Sequence, residues 1–197
     1  MLDQHRNWFK GLEKKTADIF AVLSLTPNQY TLLSIIFAIA SAVEINYGNY
    51  LFALGLYLAA IFCDFIDGAV ARRKNLSSNQ GAYWDTVADR YVEAILFFGL
   101  LFVELPPFYL VPAAWIFLAL FGSTMTTYAK AAAKEKGLSD VELKGGLMSR
   151  AERSMFCVAI LLLLGYSKVW AMSFIVVLAL LSNITAMQRI SMALRRN

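Results

Sequence analysis

Ile45-Asn-Tyr-Gly-Asn-Tyr-Leu-Phe-Ala-Leu-Gly-Leu-Tyr-Leu-Ala-Ala-Ile-Phe-Cys63 carries no charge, and it runs directly into Asp64-Phe-Ile-Asp67-Gly68-Ala-Val-Ala71-Arg72-Arg73-Lys74. As a helix the apolar run alone is about 28 Å long, close to the hydrocarbon thickness of a bilayer. The acid pair therefore falls where a membrane helix leaves the oil. With eight residues intervening after Arg72, Gly81-Ala-Tyr-Trp-Asp85-Thr-Val-Ala-Asp89 adds two more carboxylates. Asp64 and Asp67 are three apart and Asp85 and Asp89 four apart, so each pair shares one face of a helix. Two helices joined by a short polar turn can bring all four together. Adjacent carboxylates repel, increasingly so as water is excluded, and need protonation or a cation. An all-oxygen donor set favours Mg²⁺, Mn²⁺ or Ca²⁺ over zinc.

The rest of the chain shares this character. Hydrophobic residues make up 59% of the 197, and further uncharged runs cover Leu25–Val43, Leu105–Ala129 and Val169–Gln188. Weaker apolar segments span roughly 81–104, where the first half holds Asp85, Asp89, Arg90 and Glu93, and roughly 151–167. The expected fold is an all-α integral membrane protein, residues 1–197 forming one domain. Six transmembrane helices occupy residues 25–197, after an amphipathic helix in residues 1–24. In that first segment Trp8, Phe9, Leu12, Ile19, Phe20 and Leu23 recur at helical spacing with Arg6, Lys10 and Lys14 elsewhere on the wheel. The same charges interrupt any apolar core of a signal peptide.

All of the 18 Lys and Arg except Lys168 fall at the termini, around residues 72–90, or in the 130–153 region. Because basic residues are retained in the cytoplasm, both termini and the acid cluster are expected on the cytoplasmic side of the cell membrane. The net charge of +4 then reflects topology and contact with anionic headgroups, not nucleic-acid binding. Cys63 and Cys157 lie in membrane segments and are not expected to pair. No Rossmann or P-loop glycine fingerprint and no internal repeat is present.

A lone Asp at a helix end ordinarily sits in water or among headgroups. Four at these spacings, flanking a turn with Arg72, Arg73 and Lys74, read as a site. A cation pathway is one class of function, and a metal enzyme acting on a phosphorylated substrate is the other. Gly68 and Gly81 favour the enzyme, since glycine in a helix costs about 1 kcal/mol against alanine and beside the acids it admits a bulky ligand. Transporters usually show repeats or helices broken deep in the bilayer, whereas these charges lie toward helix ends.

Asp64-x₂-Asp67-Gly68-x₂-Ala71-Arg72-x₈-Gly81-x₃-Asp85-x₃-Asp89 resembles, at all eight positions, the signature of the CDP-alcohol phosphotransferases. The resemblance implies transfer of a phosphatidyl-type group from a CDP-linked lipid to an alcohol with release of CMP, by a homodimer using Mg²⁺ or Mn²⁺, two ions per site. It implies that Asp64, Asp67 and Asp85 hold metal, and that Asp89 is metal-associated and the base for the attacking hydroxyl. Gly68, Ala71, Arg72 and Gly81 would line the cytidine and phosphate pocket, joined by Asn28 and Thr31 of the Pro27-Asn-x-x-Thr segment.

Three other segments are similar to those of family members that make inositol-phosphate lipids: Tyr128-Ala-Lys130, Arg150-Ala-Glu-Arg153 and Gln188-Arg189. The resemblance implies that Lys130, Arg150, Arg153 and Arg189 form a basic pocket for an acceptor bearing its own phosphate, because two or three cations neutralise a dianion where water is partly excluded. Inositol 1-phosphate is the expected acceptor, and CDP-diacylglycerol or CDP-archaeol the donor. Glycerol 3-phosphate is the alternative acceptor within the family, and a divalent-cation transporter the alternative outside it. Basic residues also gather at cytoplasmic helix ends for topological reasons alone. Arg150 and Arg153 stand above that background, being three apart where a helix begins and able to point toward the acids.

Overall fold

The computed structural model describes Asp18, Phe20 and residues 25–138 and 145–195. Most of the expected interfacial helix in residues 1–24 lies outside them. The remainder forms α1 (Pro27–Asn46), α2 (Tyr50–Arg73), α3 (Asn79–Leu100), α4 (Pro112–Glu135), α5 (Arg150–Leu164) and α6 (Lys168–Leu194). Among the described residues there is no strand, only an isolated bridge between Phe108 and Leu110.

Helix boundaries follow local chemistry more than the edges of apolar runs. Thr26 caps α1 reciprocally with Gln29, and Pro27 occupies its first turn, where a missing N–H costs nothing. The run beginning at Leu105 turns helical only at Pro112. Pro106 and Pro107 keep the intervening stretch out of a helix interior, and Trp115 ties it down through an Nε1–H bond of 2.7 Å to the Phe108 carbonyl. Conversely, α2 continues ten residues past Cys63 and carries Asp64 and Asp67 on helical turns.

The chain is a membrane protein: α1, α2 and α6 are each long and apolar enough to cross a bilayer. The other three depart from that standard for visible reasons. α3 carries four charges between Asp85 and Glu93, α4 ends in Lys130, Lys134 and Glu135, and α5 has 15 residues, about 22 Å. On α1 the face bearing Leu32, Ile36, Ile39 and Val43 is exposed, while Tyr30, Ser34, Ala38, Ser41 and Ile45 are buried. This is the reverse of what water would favour and suits lipid.

Lipid tails are as apolar as leucine, so helices associate through close packing and interhelical hydrogen bonds. The Ser41 hydroxyl donates to the Ala53 carbonyl at 2.8 Å, joining α1 to α2. Gly122 lets α4 reach α6, since a Cβ there would stand 2.6 Å from the Asn183 amide nitrogen, which itself donates to the Leu118 carbonyl at 2.8 Å. α1 packs along α2 and α3, α4 packs along α6, and α5 bridges α6 and α2. The bundle thus has an α1–α3 half and an α4–α6 half, meeting along a seam.

Candidate active site

The acidic residues come from the first half. The turn after α2 is closed by Asn75 at φ 54°, a left-handed conformation that asparagine tolerates. Ser78 then caps α3, its Oγ accepting from the Gly81 N–H at 3.0 Å. This short connection sets the ends of α2 and α3 side by side. One carboxylate oxygen from each of Asp64, Asp67 and Asp85 lies within 4.8 Å of the others. Asp67 is buried and accepts a 2.6 Å bond from the Thr31 hydroxyl, which brings in α1. Oxygens around a magnesium-like ion at about 2.1 Å stand roughly 3 to 4.2 Å apart. Small side-chain adjustments would therefore seat one divalent cation among the three aspartates.

Asp89 is not one of these three but lies beside one of them, Asp64. It pairs with Arg150, and the same guanidinium reaches Asp64 at 2.8 Å. Arg150 is the first residue of α5, positioned by a reciprocal cap in which the Ser149 N–H donates to Glu152 Oε2 at 2.6 Å and the Glu152 N–H to Ser149 Oγ at 3.4 Å. Arg150 thus delivers its charge across the seam.

A cavity of about 540 Å³ opens beside the triad. Its wall includes Asn28 and Thr31 from α1, Asp67, Gly68, Ala71 and Arg72 from α2, and Gly81 and Asp85 from α3. All six residues expected around a cytidine-diphosphate group thus line one space with two of the aspartates. A Cβ at Gly68 would lie 3.3 Å from an Arg72 guanidinium nitrogen, so a side chain there would have to displace that guanidinium by a few tenths of an ångström. The larger cavity of about 600 Å³ between α4 and α6 is lined mainly by apolar side chains and contains none of the aspartates.

The four expected acceptor cations are all in the second half, and they are not alike. Arg150 faces Asp64 and Asp89. Arg153 is buried, bonded through Nε to Glu93 at 3.1 Å and through a terminal nitrogen to the Thr126 hydroxyl at 3.1 Å. Arg189 donates to the Thr126 carbonyl at 2.7 Å and to the Gly145 carbonyl at 3.2 Å. Lys130 lies one turn beyond Thr126 on α4. Glu93 and Thr126, which organise Arg153 and Arg189, carry no role in the sequence reading. The available signal was Arg90 and Glu93 at i, i+3 within a membrane segment, which the structure shows as an ion pair of 2.6 Å.

Known proteins resemble this chain in sequence and in fold. Residues 24–184 match the family model described as CDP-alcohol phosphatidyltransferase. An archaetidylinositol phosphate synthase from Pyrococcus horikoshii is 28% identical over all of this chain and 98% of its own length. One from Aeropyrum pernix is 30% identical over 88% of this chain and 85% of its own length. A bifunctional IPC transferase and DIPP synthase from Aquifex aeolicus is 30% identical over 84% of this chain, which spans only 38% of that relative. Among solved structures, the phosphatidylinositol phosphate synthase of Mycobacterium tuberculosis in complex with manganese and citrate superposes with a TM-score of 0.79 at 24% identity, over 92% of this chain and 88% of that one. The same enzyme with CDP-DAG bound gives 0.76, over 92% of each chain.

Proposed function

The chain belongs to the CDP-alcohol phosphatidyltransferase family, and on that premise we propose that it transfers the phosphatidyl-type group of CDP-diacylglycerol or CDP-archaeol to inositol 1-phosphate, releasing CMP. One observation carries the reading: a carboxylate triad at the wall of a nucleotide-sized cavity, with arginines from α5 and α6 gathered on the opposite side of the seam.

The cavity beside Gly68 and Arg72 receives the cytidine diphosphate. Asp64, Asp67 and Asp85 would hold Mg²⁺ or Mn²⁺, and Asp89 would be metal-associated. Divalent cations held there would neutralise the charge of the pyrophosphate. The acceptor hydroxyl forms a new bond to the phosphorus carrying the lipid, the bond from that phosphorus to the CMP oxygen breaks, and CMP leaves with the electron pair. Asp89 takes the hydroxyl proton, and Arg150 orients its carboxylate. Little beyond positioning and charge neutralisation is required for such an in-line displacement. Lys130, Arg150, Arg153 and Arg189 supply the positive field for the acceptor's phosphate.

In the membrane all six helices span, α5 and the charged end of α3 being shielded by their neighbours. The termini and the site face the cytoplasm, and two copies associate. The decisive experiment offers purified protein a radiolabelled CDP-lipid and a panel of alcohols and measures CMP. Inositol 1-phosphate should be the efficient acceptor, free inositol and serine poor ones, and glycerol 3-phosphate weak. Efficient turnover of serine or free inositol would remove the reason for a basic pocket.

A further inference from the structure

Glu93 is a buried carboxylate with both oxygens engaged by guanidinium groups. Oε2 accepts from Arg90 at 2.6 Å on its own helix, and Oε1 from Arg153 at 3.1 Å across the seam. α3 and α5 have little backbone contact with each other, so this ion pair is a principal link between them. Arg153 is fixed at a second point by the Thr126 hydroxyl, and the backbone carbonyl of the same Thr126 accepts from Arg189. Thr126 has its own constraint, because its hydroxyl donates to the Ser123 carbonyl at 2.7 Å.

We infer that Glu93, with Thr126, is a positioning residue for acceptor recognition: it aims the Arg153 guanidinium and through Thr126 keeps it in register with Arg189. The inference rests on the reading of these arginines as the acceptor-phosphate pocket. Its physical basis is the geometry of a planar fork. Arginine recognises phosphate by directed bonds from fixed positions, and a long side chain left unanchored must lose rotamer freedom on binding. Fixing Nε and one terminal nitrogen leaves the other terminal nitrogen in a single direction. The arrangement also places one carboxylate between two arginines, so the cluster of Arg90, Glu93 and Arg153 holds an excess positive charge inside the bundle. A small cavity of about 20 Å³, whose lining includes Asp64, Asp89, Arg90, Glu93, Arg150 and Ser154 beside apolar side chains, touches both Glu93 and the proposed base. That is room for about one water.

The test uses the full chain in lipid nanodiscs and varies inositol 1-phosphate and CDP-lipid independently. Glu93→Gln keeps the shape and removes the charge. It should raise KM for the acceptor about tenfold or more, by a larger factor than it lowers kcat, with KM for the CDP-lipid shifted by no more than about twofold. Glu93→Asp should recover part of the loss. Thr126→Val, which removes the hydroxyl at constant volume, should raise the same KM by a smaller factor. In Glu93→Gln combined with Arg153→Ala, acceptor KM should be no higher than in Arg153→Ala alone, because Glu93 acts through that arginine. An unaltered acceptor KM in Glu93→Gln, fully additive effects in the double variant, or equal loss of affinity for both substrates would each overturn the inference. Failure of the unaltered chain to release CMP with any phosphorylated alcohol would instead overturn the functional reading, and shows before any variant is compared.

Discussion

The two halves of the bundle handle charge in opposite ways. In α1–α3, Asp64, Asp67 and Asp85 converge with one hydroxyl, that of Thr31, given to Asp67 from within their own half. In α4–α6, Arg153 and Arg189 are each bonded at two points to groups that orient them. Like charges gathered beside a cavity are destabilising until a cation arrives. Cations already bonded to a carboxylate, a hydroxyl and carbonyls are rigid from the start. The comparison separates a site assembled around metal from one preorganised by protein, and Arg150 is the hinge between them, with one guanidinium on Asp64 and Asp89.

The sharpest way to break this contrast is to remove divalent ions. Chelation should abolish CMP release, and Mg²⁺ or Mn²⁺ should restore it. Activity persisting in chelator would mean that the triad is not a metal site, and metal flux into proteoliposomes without CMP formation would move the case to transport. Next in size is the separation of Asp89 from the triad. Asp89→Asn should lower turnover by about 10²-fold or more, as expected for a lost general base, with CDP-lipid binding largely intact. Asp64→Asn and Asp67→Asn should weaken metal and CDP-lipid binding as well. Equal binding losses in all three would erase the distinction drawn here between Asp89 and its neighbours.

In the basic half, Arg153→Ala should raise the acceptor KM by about ten- to a hundred-fold, the equivalent of a lost charge-assisted contact of about 1.5–3 kcal/mol. Lysine at that position should rescue only part, since it keeps the charge and loses the fork. The smallest expected effect concerns the hinge. Ser149→Ala removes the cap that starts α5 beside Arg150 and should cost about 0.5–2 kcal/mol in thermal or denaturant stability. Turnover should fall modestly. A loss of activity with no change in stability would show that Ser149 acts on substrate directly.

How much of this was legible in the chain depends on the range of the interaction. The acid pairs at i, i+3 and i, i+4 and the proline start of α1 are local, and helical geometry makes them readable. The gathering of Asn28, Thr31, Gly68, Ala71, Arg72 and Gly81 around one cavity was legible only through the family resemblance. Membrane character was plain from apolar run lengths. The start of α4 was less so, since an uncharged run says nothing about whether its first residues, containing Pro106 and Pro107, are helical.

Sequence alone determined that four carboxylates sit near the end of apolar helices and that basic residues gather on the same side, because spacing along a helix and partition between oil and water act over a few residues. Only the tertiary structure decided that Asp89 stands with Arg150 outside the triad, that Arg153 is buried against Glu93 60 residues away, and that Thr126 links it to Arg189 from 63 residues away. Those pairings depend on the angles and offsets at which helices cross, which are set by small-residue contacts such as Gly122 against Asn183. Because lipid solvates every apolar face equally well, hydropathy cannot choose among them.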